Sequence, residues 1–252
     1  MVSAAQPRFV VCSLNLWRTR RWPDRARPLD AFLRGHRPDI LAVQELSPEV
    51  RTAIDASLEG HDRVADAFPG WSSESTIYWH RGLFEPVAYG REDIGQPEAE
   101  RGLYWVRLRR CDEPATTLVV ATAHYTWPGH PSELRTGISP RPAQARATAA
   151  ALARIAPARE AVVFTGDLND FFHPLRVLRE AGLDDSFSAL GRTPRPTIPS
   201  VPTAGGIPSV ADWMLHRGPI APMSTEAVDF FVDGLSPSDH KPLITTYRME
   251  TP

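Results

Sequence analysis

The chain has 252 residues, enough for a substantial core, and its 42% apolar and 23% charged content excludes extensive disorder. A formal net charge of −2 leaves no global field to draw in nucleic acid or an anionic membrane, although Lys241 is the only lysine and the rest of the 28 basic residues are arginine. Twenty-five prolines against 16 glycines rule out a helical bundle or coiled coil, because proline fixes φ and removes a backbone donor, and favour short elements joined by stiff loops.

Residues 1–8 carry no apolar segment of signal-peptide length. No later stretch approaches the roughly 20 apolar residues of a membrane span, so a cytoplasmic protein without a span is expected. Short β-branched runs predict buried strands at residues 9–14, 39–43, 76–79, 104–108, 116–123, 161–165, 210–215, 227–232 and 243–247. Amphipathic spacing predicts helices over residues 28–36, 47–58, 144–156 and 174–181; the second has Ser47 as a cap and Pro48 at its first helical position. Cys12 and Cys111 fit no CxxC or zinc spacing, and Cys12 reads as a small core residue. The proline-rich stretch 191–206 reads as a long loop, and its Ala204-Gly-Gly206 has neither the spacing nor the lysine of a phosphate loop. No repeat or composition shift divides the chain, so a single domain over residues 1–252 is expected. Strands outnumber helices about two to one, which predicts an α/β or α+β domain of packed sheets with helices outside.

Four of these strands end in a polar group directly after the apolar core: Asn15, Gln44-Glu45, His124, and Asp167 with Asn169. Polar residues at any one strand end are ordinary turn chemistry. Four such tips, if the strands lie side by side, converge on one rim of a rigid scaffold. A fifth run, Val210-Ala-Asp-Trp-Met-Leu, places Asp212 on the face of Val210 and Met214, where a carboxylate is costly unless paired. His240, in Ser236-Pro-Ser-Asp-His, is its candidate partner: an Asp that accepts from one ring nitrogen frees the other for proton chemistry. Alone, such a pair is more often structural.

The ordered set Asn15-Leu-Trp, Gln44-Glu45, His124, Gly166-Asp-Leu-Asn169, Asp212-Trp and Ser238-Asp-His240 resembles the endonuclease/exonuclease/phosphatase superfamily of DNase I-like, metal-dependent phosphoesterases. The resemblance implies a four-layer α/β sandwich with two central mixed sheets. It implies that Glu45 is the principal metal-binding carboxylate, with Asn15 beside it and Asp239 as a further acid near the metal. It also implies that Asp167 and Asn169 handle the nucleophilic water and scissile phosphate, and that Asp212 and His240 form the family's Asp–His couple. His124 matches a phosphate-stabilising or leaving-oxygen position, and Glu74 either orients it or is an exposed loop acid. Apurinic endonucleases carry an acid where this chain has Trp17, which argues against that branch. Hard oxygen donors from Glu, Asp and Asn suit Mg²⁺, or Mn²⁺, better than zinc. His240 and Asp167 compete for the role of general base.

Five arginines lie between Arg18 and Arg27, directly after the Asn15 tip; Arg18, Arg20 and Arg21 are candidates for gripping phosphate, against the alternative of a solvated loop. A second rim loop, residues 127–141, offers Trp127 and Arg141 as substrate contacts. The leading expectation is a phosphodiesterase with nuclease-type chemistry on a phosphoester substrate, nucleic acid or small molecule, with no obligate protein partner. Its rivals are an enzyme acting on a small or lipid-derived phosphoester, which the near-neutral charge favours, and an inactive scaffold that binds phosphorylated ligands.

Overall fold

The computed structural model describes residues 7–250. Residues 1–6, which bear most of the expectation about a leader, lie outside the described residues, as do residues 251–252. The elements are, in chain order, β1 (Arg8–Asn15), α1 (Ala26–His36), β2 (Ile40–Gln44), α2 (Pro48–Ser57), β3 (His61–Arg63), α3 (Gly70–Ser73), β4 (Ser75–His80), β5 (Phe84–Glu92) and β6 (Leu103–Arg110). They continue as β7 (Thr117–His124), α4 (Pro131–Thr136), α5 (Arg141–Ile155), β8 (Ala161–Asp167), α6 (His173–Glu180), β9 (Asp184–Asp185), α7 (Ser186–Ala189), β10 (Asp212–Arg217), β11 (Ile220–Ala227) and β12 (Leu243–Met249).

The strands form two six-stranded sheets, ordered β11-β12-β1-β2-β4-β3 and β5-β6-β7-β8-β10-β9. Each sheet contains one parallel pair, β1 with β2 and β7 with β8, and is otherwise antiparallel. Alternate residues meet in the core between the sheets, for example Val11, Ala42 and Ile77 from the first and Tyr104, Val120 and Met214 from the second. The outer face of the first sheet packs on α1 and α2 through Leu14, Leu29, Phe32 and Ile54. The outer face of the second packs on α5 and α6 through Phe164, Leu152 and Leu178. The expected four-layer sandwich is therefore the fold, and no helix among the described residues is long and apolar enough to cross a membrane.

The eight inner strands of the two sheets were the legible ones, and the four at the edges were not. The expected strand 227–232 is displaced: β11 ends at Ala227, and Val228 and Phe230 instead pack from a loop onto the α1 layer. The true edge strand is interrupted by Pro222 and a bulge, which suits an edge and hides it from an alternation reading. At α2, Ser47 Oγ accepts from Val50 N (3.4 Å), as the capping pattern predicts.

Candidate active site

Parallel neighbours end on the same edge of a sheet, and their antiparallel neighbours begin there. In the first sheet this aligns Asn15 with Gln44, and Gln44 with Ser75; in the second it aligns His124 with Asp167, and Asp167 with Asp212. Two rows of polar tips thus meet across one rim. Gln44, a strand tip to which the sequence assigns no role, ties the rows together by donating from Nε2 to Thr122 Oγ1 (2.8 Å) and Ser13 Oγ (3.3 Å). Asn15 Nδ2 donates to both Glu45 Oε1 (3.2 Å) and Asp167 Oδ2 (3.0 Å), while its Oδ1 accepts Trp17 N–H (2.9 Å) and keeps a second lone pair. Glu45 (φ 52°) and Asn169 (φ 51°) both sit in the left-handed region, which costs a residue with a Cβ and recurs where a site dictates the backbone.

Two histidine–carboxylate couples flank Asp167. His240 Nδ1 donates to Asp212 Oδ2 (2.8 Å) and His124 Nδ1 donates to Glu74 Oε1 (3.1 Å), so each ring is fixed at Nδ1 by a buried acid. Their Nε2 atoms lie 3.7 Å and 3.6 Å from the same oxygen, Asp167 Oδ2. Glu74 is 2% exposed, not the exposed loop acid of the alternative reading. Burial alone would raise its pKa, but the His124 hydrogen bond and the charges of Arg101 and Arg18 outweigh it and hold the carboxyl below its usual range. Burial and the charge of Asp212 push Asp167 up, against the pull of the two imidazoles. Burial alone would lower His240, yet Asp212, Asp167 and Asp239 prevail and push it up to about 10.

Glu45 and Asp239 crowd the other side of the rim. Burial, reinforced by the Glu45 charge, pushes the Asp239 carboxyl up although His240 stands beside it. These two carboxylates are hard oxygen donors of the kind a divalent cation takes, and a cation would relieve their repulsion; Asn15 turns its Nδ2, not its Oδ1, toward Glu45. Asp167, Asp212 and His240 also place donor atoms within 4.8 Å of one another. That cluster is already joined through the His240 Nδ1–H···Asp212 bond, which suits it to proton handling more than to ligation.

The proline-rich loop supports the Asp–His couple from below. Thr197 Oγ1 accepts from Asp212 N (3.1 Å), Ser200 N donates to Asp239 O (2.7 Å), and Thr197 O accepts from Lys241 N (2.7 Å). The arginine-rich loop is fastened inward. Arg18 pairs with Glu74 (2.6 Å), Arg21 donates to Thr203 O (2.8 Å) and Arg27 pairs with Asp233. Arg25 is fully buried, donates to the carbonyls of Arg18, Arg20 and Pro237, and lies against the rings of Trp17 and Trp22. Burial lowers its pKa to about 10, against the pull of Asp239 and Glu45. Among the described residues, Arg20 is the member of this loop whose exposed guanidinium has no protein partner. Trp127 is 44% exposed on the second loop. Arg141 is buried and clamps Glu133 through two bonds (3.0 and 2.8 Å) and Thr126 O (3.0 Å), so its terminal nitrogens hold the loop together. Arg101 was missed, and the strut role of Gln44 with it, because neither a loop arginine nor a strand glutamine carries a local pattern that separates strut from surface.

A model of the Endonuclease/Exonuclease/phosphatase family matches residues 12–240. No curated protein matches the sequence. Among solved structures, a Bacteroides thetaiotaomicron protein of that family is similar at a TM-score of 0.80 and 16% identity, covering 98% of this chain and 100% of that one. D. rerio TDP2 complexed with single strand DNA product is similar at 0.78 and 19%, covering 96% and 99%. A B. thetaiotaomicron mannosyl-6-phosphatase is similar at 0.77 and 17%, covering 94% and 98%.

Proposed function

The chain belongs to the Endonuclease/Exonuclease/phosphatase family, and from that premise we propose that it is a divalent-metal-dependent hydrolase that cleaves a phosphodiester at this rim. The observation that carries the reading is the pair of fixed imidazoles whose Nε2 atoms face one buried carboxylate at 3.6 and 3.7 Å. Glu45 and Asp239 are the residues that would hold Mg²⁺ or Mn²⁺. When bound, such an ion polarises a phosphoryl oxygen and offsets the charge that develops in the transition state. Asp167, oriented by Asn15 Nδ2 and by Asn169 N–H (2.9 Å), accepts a proton from the attacking water. Asn169, whose own Nδ2 donates to Tyr125 O (3.0 Å), is held beside it for the phosphate. His240, charged by its three acids, donates from Nε2 to a phosphoryl oxygen, and His124 serves the leaving oxygen from the opposite couple.

Within that chemistry, the arginine placements favour a small phosphoester over duplex nucleic acid. A polyanion requires a run of free cations. Here Arg18, Arg21, Arg25, Arg27 and Arg141 are engaged by the protein itself. TDP2 with its DNA product and the mannosyl-6-phosphatase illustrate that chains of this fold take either kind of ligand. The test is release of product from plasmid, single-stranded DNA, RNA, sphingomyelin, inositol phosphates and an aryl phosphodiester, with Mg²⁺ and with EDTA. Turnover of the small ester that EDTA abolishes, and that Glu45→Ala or His240→Ala reduces by orders of magnitude, is expected. Retention of full turnover in those variants would sink the assignment, and binding without turnover would favour a scaffold.

A further inference from the structure

Arg25 is the largest side chain that the fold buries completely, and among the described residues it forms no ion pair. A buried cation without a contacting acid is expensive, so what surrounds it is informative. Nε donates to Arg20 O (2.7 Å), one terminal nitrogen to Arg18 O (3.1 Å) and the other to Pro237 O. The ring centroids of Trp17 and Trp22 stand 5.4 and 5.8 Å from its Cζ. Burial lowers its pKa, and the negative charges that resist the fall are two acids of the rim, Asp239 and Glu45.

The same guanidinium completes a path between the backbones that carry those acids. Arg18 N donates to Glu45 O (3.0 Å), Arg18 O accepts from Arg25, and Arg25 reaches on to Pro237 O, two residues before Asp239. The sheet ladder does not join them, since Glu45 follows β2, Asp239 precedes β12, and β1 lies between those strands. Two like charges repel, so their separation must be imposed on both backbones at once. The path also runs through strained chain: Trp17 (58°), Arg18 (46°), Arg21 (53°) and Glu45 (52°) all have positive φ, which persists only where the surroundings over-determine it. A planar fork can collect three carbonyls from three directions, and an ammonium on a flexible stem cannot.

We propose, resting on the metal-dependent reading, that Arg25 is the positioning residue of the metal centre: it fixes the separation of Glu45 and Asp239 before the cation arrives. Its charge acts the other way, by repelling a dication, so span and charge predict opposite effects when the side chain is removed. The span prevails, because the charge acts from beyond ion-pair distance, whereas misplaced ligands lose the metal bonds themselves.

The experiment titrates MnCl₂ into the metal-free protein and reads free Mn²⁺ by electron paramagnetic resonance, well below the melting temperature of each variant. The variants are Arg25→Lys, which keeps the charge and loses the fork, Arg25→Met, which loses both, and Arg27→Met as a surface control on the same loop. Partners that orient metal ligands are worth about 10- to 100-fold in affinity, so Kd should rise by about that factor in both Arg25 variants and stay at the wild-type value in Arg27→Met. At saturating Mn²⁺, Arg25→Lys should recover most of the wild-type kcat on an aryl phosphodiester; a kcat that stays low would mark general loss of structure and overturn the inference. A wild-type Kd in Arg25→Lys, or tighter binding by Arg25→Met, would overturn it as well, since charge and not span then governs the site. If Arg25→Met fails to fold, the lysine variant carries the test alone. Wild-type protein that binds Mn²⁺ no better than Glu45→Gln would sink the metal reading and this inference with it. Binding that Glu45→Gln abolishes and neither Arg25 variant alters would sink the inference only.

Discussion

Glu74→Ala is expected to separate two tasks performed by one carboxylate. The side chain is 2% exposed and faces three donors: Arg18 at 2.6 Å, His124 Nδ1 at 3.1 Å and Arg101 Nε at 3.4 Å. Arg18 is half exposed, so its loss costs about 0–1 kcal/mol. Arg101 is different, being 8% exposed with its other carboxylate, Glu98, 3.7 Å away. Stripped of Glu74 it becomes a nearly uncompensated buried cation, which costs about 3 kcal/mol. At about 2–4 °C per kcal/mol for a chain of this size, the melting temperature should fall by roughly 6–12 °C. His124 also loses the acceptor that fixes its tautomer, and a positioned acid–base group is worth about 100-fold or more in kcat. Adding Arg101→Leu discriminates between the tasks, because removing the orphaned cation restores most of the melting temperature and none of the turnover. Thermal melts by circular dichroism and steady-state cleavage of an aryl phosphodiester measure the two. Wild-type values of both in Glu74→Ala would refute the reasoning, and recovery of kcat in the double variant would refute the role of Glu74 toward His124.

Gly166→Ala should destabilise strongly, by about 3 kcal/mol, because a Cβ there would stand 2.0 Å from Ala123 O at a φ of +152°; an unchanged urea midpoint would contradict this close approach. Acid sensitivity should depend on His216, whose pKa burial lowers below 6.5 despite Asp184 and Asp185. The unfolded chain takes up that proton first, so the stability carried by the neutral ring is complete above about pH 6.5 and is lost as pH falls through the depressed folded value, at up to about 1.4 kcal/mol per pH unit. His216→Phe should flatten that limb in urea unfolding at pH 7, 6 and 5, and an acid limb parallel to wild type would rule the group out.

The parts legible in the sequence are those where one physical demand acts on every residue of a run. β1, β2, β7 and β8 are covered on both faces, so their continuous β-branched runs stand out, and the polar tips stand out against them. β5 illustrates the opposite: Phe84 is its one buried residue, and it carries Pro86, Gly90 and a bulge. At the site, Asp212 and His240 were legible because a carboxylate in an apolar strand demands a partner. Glu74 and Arg141 were harder, since burial of a loop residue depends on segments far along the chain: Arg18 and His124 for the first, Glu133 and Thr126 for the second. The same applies to the arginine-rich loop, where Arg25 looks like its neighbours in sequence but alone is swallowed by Trp17, Trp22 and Pro237.

The rim itself opposes folding, and the loops show how it is held. Burial and neighbouring acids push Asp167 and Asp239 up, so concentrating these groups costs stability that the sandwich core must supply. Such a cluster persists only where its surroundings over-determine it. Gln44 bridges the two sheets beneath it, and Arg25 pins the arginine-rich loop to Pro237, two residues before Asp239. The loop carrying Pro194, Pro196, Pro199, Pro202 and Pro208 contributes Thr197, Ser200 and Thr203, which fasten Asp212, Asp239 and Ser236 respectively. Proline lowers the entropy of the unfolded chain, so a stiff loop loses less when ordered around a strained site than a glycine-rich one would. Five of the 25 prolines therefore have a physical place in this molecule: they lie where backbone must be fixed without help from a sheet, directly behind the carboxylates of the rim.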